Sequence, residues 1–468
     1  MYLEVNNTFT FAKEGDIPIH LLKIFNFFLR NDLYLMRRLP NLPVKRKSIY
    51  FPQWKCFFTG ALPLLIQQYP CRIVDARKKP DIDKTKINPP DWLRPFQKTA
   101  FQKMLDRERG IIRHTTATGK TYLAASWVQA VPVNHLILVH IREVFKQFQE
   151  RLEDTLGEEF DAIGSGVEDY KNRRVCLGMI ESIEPRMARK EFDIMHYDSI
   201  LVDESHHTGW GSRYVNVLAH ADNAYFRFGL TGTPKREAGD SIVHMGLIGP
   251  IIHEYRYVDA VADKYITPVT VYSIHNCKYT GIIPAIEPYH IFYKDMIVNN
   301  PERNKLIGDI AIVLLESNIS TLILAKEIIH QENLLEIIRQ GLIHKGVPLA
   351  DVSRKVDIVH GKDPERYQKK KDFENGIIKC LITTTLYDEG IDIHRIGAAI
   401  LAAGERSERA LLQRIGRGQR LDEGKKVLLV FDFLDGFSQK TKDHAKQRLK
   451  ACISEGYKVE GLQPGRQY

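Results

Sequence analysis

The chain has 468 residues, 44% of them hydrophobic and 27% charged, with 67 Lys+Arg against 58 Asp+Glu for a net charge of +9. That composition supports a sizeable core, excludes wholesale disorder and suits about three domains. No uncharged apolar run nears the ~18 residues of a membrane span, the start MYLEVNNTFTF is not a secretory signal, and six scattered cysteines without a CxxC pair speak against a zinc site or disulfide framework and for reduced thiols in a cytoplasm. The charge is unevenly placed: the first 90 residues hold 15 Lys+Arg and 7 Asp+Glu, and the rest of the chain is balanced to within one charge.

Residues 1–88 read as a small basic α/β domain. The apolar spacing of Ile19–Leu29 predicts an amphipathic helix, Ser48–Phe51 a strand, Gly60–Tyr69 a second helix and Arg72–Asp75 a short strand. Arg37, Arg38, Lys45, Arg46, Lys47 and Lys55 are candidate DNA contacts, because Lys and Arg neutralise phosphates. Tyr34, Tyr50, Phe51 and Trp54 are interleaved with them; aromatics can stack on unpaired bases, but most of these are assigned to the domain's own core. Residues 76–90 are charged and punctuated by proline, a linker pattern; Asp81 and Asp83 within it lack the strand a nuclease site requires.

From Asp91 to about Lys264, helical segments alternate with short apolar strands, clearest at Leu136–Val139, Val175–Met179, Ser199–Val202 and Phe226–Leu230. The texture repeats after Pro268 with Thr321–Leu324, Val356–Val359, Cys380–Thr383, Ala398–Leu401 and Val427–Phe431. Such alternation implies βαβ units and parallel sheets. The expected division is 1–88, 89–265 and 266–468, the last with a C-terminal helical tail.

Three constellations carry chemistry. His114–Thr121 (HTTATGKT) lies between an apolar strand and a helix, the context of a phosphate-binding loop. Backbone N–H groups at the helix start can cradle phosphate; Lys120 would neutralise it and Thr121 would offer a hydroxyl to Mg2+. His114 and Ala117 stand where glycine or alanine and glycine are usual, so Ala117 must take a backbone shape that suits glycine. Ser199–His206 (SILVDESH) is an apolar strand ending in Asp203, suited to hold Mg2+ through water, and Glu204, suited to act as general base. Leu411–Arg420 (LLQRIGRGQR) reads as a helix with Arg417 and Arg420 on one face, two guanidinium groups for developing γ-phosphate charge.

In this order and spacing the three motifs resemble those of superfamily 2 helicases and translocases, over about residues 91–435, and the fold implied is two tandem RecA-like parallel-sheet lobes behind the small basic domain. The resemblance assigns Gln97 in LRPFQ to the adenine, and Thr116, Ala117, Thr118, Gly119, Lys120, Thr121, Gly390 and Asp392 to ATP. It gives Arg142, Ser182 and Thr384 to the nucleic-acid strand, and His206, Thr231, Thr233 and Gln413 to coupling. A narrower similarity is to phage UvsW-type branch-migration helicases, on Asn300–Asn304 (NPERN), Thr321–Leu324 and Thr59–Pro63 (TGALP).

The function implied is ATP- and Mg2+-dependent movement on forked or branched DNA or an RNA–DNA hybrid, by a monomer in the cytoplasm without a membrane partner. The alternatives are an RNA helicase, or a non-unwinding translocase subunit of a restriction or remodelling assembly. His207, His220 and His244 read as surface or structural residues.

Overall fold

The structure is a computed structural model and describes residues 1–29, 46–233, 236, 238–274, 289–384, 395–404, 411, 415–416, 418–422 and 425–462. Two compact units emerge, Met1–Thr115 with Gly119–Tyr255, and Thr116–Thr118 with Arg256–Tyr468.

The first unit opens with β1 (Tyr2–Val5) and β2 (Phe9–Glu14), an antiparallel pair. β3 (Asn26–Phe27) and β4 (Lys47–Ser48) form a small sheet of their own. β5 (Tyr50–Phe51), β6 (Cys56–Phe58) and β7 (Arg72–Asp75) complete a five-stranded sheet of order β5-β6-β2-β1-β7, with β7 parallel to β1. The helix expected over Ile19–Leu29 is absent: only a 3-10 turn at Leu22–Phe25 forms before β3. The cause lies in the burial pattern. Leu21 and Phe25 are buried four apart, but Phe27 follows at strand spacing, and Phe25 stacks on Phe57 with centroids 4.6 Å apart. Packing on the sheet overrides a short helical pattern.

The second sheet has eight strands: β8 (Arg109–His114), β9 (His135–Val139), β10 (Asp161–Gly164), β11 (Val167–Asp169), β12 (Val175–Met179), β13 (Ser199–Asp203), β14 (Phe226–Thr231) and β15 (Ile251–Tyr255). Their order is β11-β10-β12-β9-β13-β14-β8-β15, parallel except for β10 with β11. β9, β12, β13 and β14 are buried along their whole length, as strands covered on both faces must be, which is why they read as unbroken apolar runs.

The two sheets of this unit share one core, in which Phe57, Phe58, Ala61 and Leu65 pack with Val243, Leu247 and Ile248. A Cβ at Gly60 would lie 2.2 Å from the Met245 carbonyl oxygen, so only glycine allows the approach. Two buried guanidinium groups complete the joint. Arg109 donates to the carbonyls of Ile248, Asn7 and Leu247 at 2.8, 3.0 and 2.9 Å. Arg227 donates to Ala224, Leu218 and Ala221 carbonyls at 3.1, 2.9 and 2.6 Å, and to Thr8 Oγ1 at 2.6 Å. Residues 76–90, linker-like in composition, are tied down: Arg77 and Lys84 both reach Glu108, at 2.9 and 2.5 Å, and Lys78 reaches Asn223 at 2.7 Å.

The second unit is built on seven parallel strands: β16 (Val269–Ile274), β17 (Thr321–Ala325), β18 (Val356–Val359), β19 (Cys380–Thr384), β20 (Ala398–Leu401), β21 (Leu428–Phe433) and β22 (Lys458–Leu462), in the order β18-β19-β17-β20-β21-β16-β22. The helical tail is present as Gln439–Glu455, but Gly456 at φ 96 turns the chain so that β22 returns to the sheet edge beside β16. Among the described residues no helix is long and apolar enough to cross a membrane.

Candidate active site

β8, β14 and β13 are neighbours, so the loop after β8, the end of β14 and the end of β13 meet at one edge of the sheet. Carboxyl ends of parallel strands are where such sheets bind ligands. The loop after β8 turns through Ala117 at φ 66 and Gly119 at φ 79 into the helix Lys120–Ala130. Ala117 thus takes the left-handed shape expected of it, at a cost of about 1 kcal/mol relative to glycine. Lys120 Nζ stands 3.4 Å from the His114 carbonyl.

Gln97 bridges two backbones. Its Oε1 accepts the Arg94 N–H at 3.0 Å, closing the start of helix Pro95–Arg107, and its Nε2 donates to the Gly119 carbonyl at 3.1 Å. The helix cap and the phosphate loop are therefore held together by one side chain. Trp92 and Tyr122 flank this corner, edge to face at 6.0 Å and both exposed, with the Arg151 guanidinium 3.9 Å from the Tyr122 ring.

Asp203 is 7% exposed and ends β13; Glu204 follows with φ 44, a strained shape for a non-glycine residue. Burial, with the neighbouring Glu204 charge, raises the Asp203 carboxyl above its usual range. Burial alone would raise Glu204 too, but His206 and the Lys120 ammonium overcome it and hold that carboxyl below its usual range. Two carboxylates with unlike proton affinities beside one ammonium fit an acid–base site.

The turn Ser205–His207 after β13 is braced on several sides. His206 Nδ1 is 2.9 Å from Thr231 Oγ1 and 3.2 Å from Glu204 Oε2, the latter at an angle that gives no proper hydrogen bond. Thr233 N–H donates to Thr231 Oγ1 at 3.1 Å. His244 Nε2 meets Ser205 Oγ at 3.0 Å, both buried, which fits a structural role for His244. Arg236 pairs with Asp240 at 2.7 Å and donates to the His206 carbonyl, while Asp240 accepts the Trp210 N–H at 2.8 Å.

Lys120, Thr121, Asp203, Glu204, His206, Thr231 and Thr233 thus lie on neighbouring strand ends. Arg142, exposed, opens the helix Arg142–Leu156 after β9, and Ser182 lies in the first turn of Ile180–Ala188. Thr384 is buried at the end of β19. Leu411, Ile415, Gly416 and Gly418 are helical, but Arg420 sits beyond that helix at a bend, its carbonyl accepting from Thr267 Oγ1 at 3.1 Å, so Arg420 is not on the helical face expected for it. Lys47 lies in β4, Arg46 is exposed, and Lys55 pairs with Asp16 at 2.7 Å. Arg37, Arg38, Lys45, Gly390, Asp392, Gln413 and Arg417 lie outside the described residues.

Sequence reasoning missed Tyr214, whose buried hydroxyl is raised well above the usual phenol range by burial and by Asp203, Glu181 and Glu204. It also missed the Arg236–Asp240 brace and the packing of the His207 ring between those of His140 and His206. No local pattern marks these residues. They become visible only when strands far apart in sequence are adjacent.

Residues 92–236 match the family described as Type III restriction enzyme, res subunit, and residues 310–422 match Helicase conserved C-terminal domain. The chain belongs to the superfamily 2 helicases, ATP-hydrolysing motors with two RecA-like lobes. Among curated relatives, it is 26% identical over 371 residues to DNA 3′-5′ translocase XPB2 of Sulfurisphaera tokodaii, covering 72% of this chain and 80% of that protein. It is 23% identical over 371 residues to ATP-dependent DNA helicase uvsW of Enterobacteria phage T4, covering 75% and 70%, in line with the narrower resemblance. Two other helicases are matched over only 60% and 57% of their own lengths. In fold, the chain is similar to a fragment of a putative HsdR subunit of a type I restriction enzyme from Vibrio vulnificus YJ016, with TM-score 0.61, 18% identity, and 90% and 76% of the two chains covered.

Proposed function

We propose that the protein is an ATP-driven DNA helicase or translocase that acts on branched DNA: forks, four-way junctions and R-loops. The observation that carries the hydrolytic part is the meeting of the Lys120 loop with buried Asp203 and partly buried Glu204 at neighbouring strand ends. Lys120 and the backbone from Thr116 to Thr121 would hold the phosphates, and Gln97 would face the adenine. Glu204 would accept a proton from the attacking water. Mg2+ keeps most of its waters and needs only one or two protein oxygens, so the Asp203 carboxylate and Thr121 hydroxyl suit it; bound there, it would neutralise phosphate charge. The family resemblance assigns Arg417 and Arg420 to the transferring phosphate, Gly390 and Asp392 to the nucleotide, and Gln413 to coupling.

Similarity to a DNA translocase and a DNA helicase supports DNA as the track. The branched substrate is supported by the charge surplus of residues 1–90, a segment whose described sheet shares its core with the first motor sheet. A duplex held there would be fixed relative to the ATP site, whereas strand contacts by Arg142, Ser182 and Thr384 would be made and released. We assign 1–88 to duplex holding, 89–265 and 266–468 to the motor, and the whole to a cytoplasmic monomer. A second reading, a non-unwinding translocase within a restriction assembly, is supported by the family matched at residues 92–236 and the likeness to the HsdR fragment.

ATPase and strand displacement across single strand, duplex, fork, four-way junction, RNA–DNA hybrid and structured RNA test these readings. The expected pattern is DNA-stimulated hydrolysis, abolished in Lys120→Ala, with displacement strongest on branched DNA. Hydrolysis without displacement on any substrate would select the translocase reading, and stimulation by structured RNA alone would select an RNA helicase.

A further inference from the structure

We propose that His140 and His207 are positioning residues for hydrolysis: together with His206 they form a stack of three imidazoles that holds Glu204 and connects it to the end of β9. The proposal rests on the reading of Glu204 as the general base.

The rings cross the tips of three neighbouring strands. His140 directly follows β9, His206 and His207 form the turn after β13, and Thr231 ends β14, in the sheet order β9-β13-β14. The His140 and His207 centroids are 4.0 Å apart at 48°, and those of His207 and His206 4.4 Å apart at 39°. At those separations the rings are in van der Waals contact, so one cannot shift without displacing the next. The stack ends at Glu204 and Thr231, which lie 3.2 and 2.9 Å from His206 Nδ1.

Glu204 needs such support. Its backbone is left-handed at φ 44, and its buried Oε2 accepts no well-aligned hydrogen bond. The carboxylate is therefore placed by what packs around it, and a misplacement of about 1 Å in a catalytic group can cost ~100-fold in rate. The other end of the stack lies two residues before Arg142, which opens the helix Arg142–Leu156 and which the family resemblance assigns to the bound strand. A strand that pulls on this helix start moves His140, and the rings pass the movement to Glu204. Both histidines are half-buried at strand ends, where a side chain chosen only to fill space would be aliphatic.

The test is steady-state ATPase of the full chain with saturating single-stranded DNA, for His140→Ala, His207→Ala, the double variant, His207→Phe and, alongside, Glu204→Gln. Each alanine variant is expected to lower kcat about tenfold, with KM for ATP within about twofold. The double variant falls no further than the weaker single, since both break one stack. His207→Phe, which keeps a flat ring, returns to within about threefold of the wild type. Unchanged kcat in the alanine variants, a loss residing in KM, multiplicative losses in the double variant, or a phenylalanine variant no better than alanine would each overturn the stack. If an alanine variant melts early, His207→Leu replaces it, filling the volume without a flat ring, and the same tenfold loss is expected. Glu204→Gln separates the two readings. Wild-type hydrolysis by that variant overturns the assignment of the base itself; an inactive Glu204→Gln beside fully active histidine variants overturns only the stack.

Discussion

The joint between the five-stranded and eight-stranded sheets and the acidic site at the end of β13 both bury charge, in opposite ways. At the joint, Arg109 and Arg227 are buried without a carboxylate, yet each donates to three or more oxygens with good geometry. Burial lowers the proton affinity of both, Arg227 to about 10, which leaves the Arg227 guanidinium charged near neutral pH. At the site, Asp203 and Glu204 are adjacent carboxylates, and Glu204 has both a strained backbone and an oxygen lacking an aligned partner. Buried polar groups in proteins are normally satisfied, and exceptions cluster where chemistry is done. A fully bonded buried charge holds the fold; an incompletely bonded one awaits a ligand.

The sharpest way to break that contrast is to neutralise one member of each pair. Asp203→Asn removes one of two crowded negative charges while keeping the shape. Hydrolysis should fall at least about 100-fold, roughly 3 kcal/mol in the barrier, while the melting temperature holds or rises. Loss of folding in Asp203→Asn would make the site structural and erase the distinction.

Arg227→Met is the counterpart. It keeps the apolar stem but strands the carbonyls of Leu218, Ala221 and Ala224 and the Thr8 hydroxyl in a dry interior. Stability should drop by about 3 kcal/mol in urea unfolding, with kcat of the folded protein little changed. A variant that folds normally but hydrolyses no ATP would reverse the roles assigned to the two regions.

The same two regions explain what was legible in the sequence. The site was legible because its chemistry is local: a GKT at a helix start, or two carboxylates closing an apolar strand, declare themselves within eight residues. The parallel strands were legible because burial on both faces leaves no polar position to interrupt them. The joint was not legible. Arg109 opens a strand and Arg227 sits inside one, and nothing nearby distinguishes them from surface arginines, since their partners include Asn7, Thr8 and Leu247. The false helix at Ile19–Leu29 failed for the same reason, because Phe25 answers to Phe57 across the sheet and not to its own sequence neighbours. The imidazole stack was hidden too, His140 and His207 being 67 residues apart in the chain and meeting only because β9 pairs with β13.

Buried histidines provide a smaller test, each bonded through one ring nitrogen and able to lose its charge. His135, bonded to the Val131 carbonyl at 2.8 Å, and His330, bonded to Asn304 Oδ1 at 3.0 Å, are each pushed down to about 3, chiefly by burial. The unfolded chain therefore takes up their protons first as pH falls. Stability is fully present above the unfolded value near 6.5 and is lost progressively between there and about 3. Each histidine should contribute about 1.4 kcal/mol of loss per pH unit in that window, and His135→Gln should flatten the slope of stability against pH by one proton. An unchanged slope would mean that His135 is protonated in the folded protein.

The smallest effect expected is at Ala117, where the phosphate loop carries strain of the site's kind without any charge. Its φ of 66 is one that glycine adopts freely and alanine does not. Ala117→Gly relieves that strain in the folded chain but adds freedom to the unfolded one, so the net gain in stability should be only about 0.5 kcal/mol, seen as a small rise in melting temperature. If the strain serves to hold the loop open for phosphate, the glycine variant should also raise KM for ATP modestly, because a freer loop has more conformations to lose on binding. A rise in melting temperature with KM unchanged would make the strain at Ala117 incidental and confine functional strain to Glu204. A fall in melting temperature would mean that the loop's bonds, and not its glycine-like backbone, set its stability, placing it with the joint and not with the site.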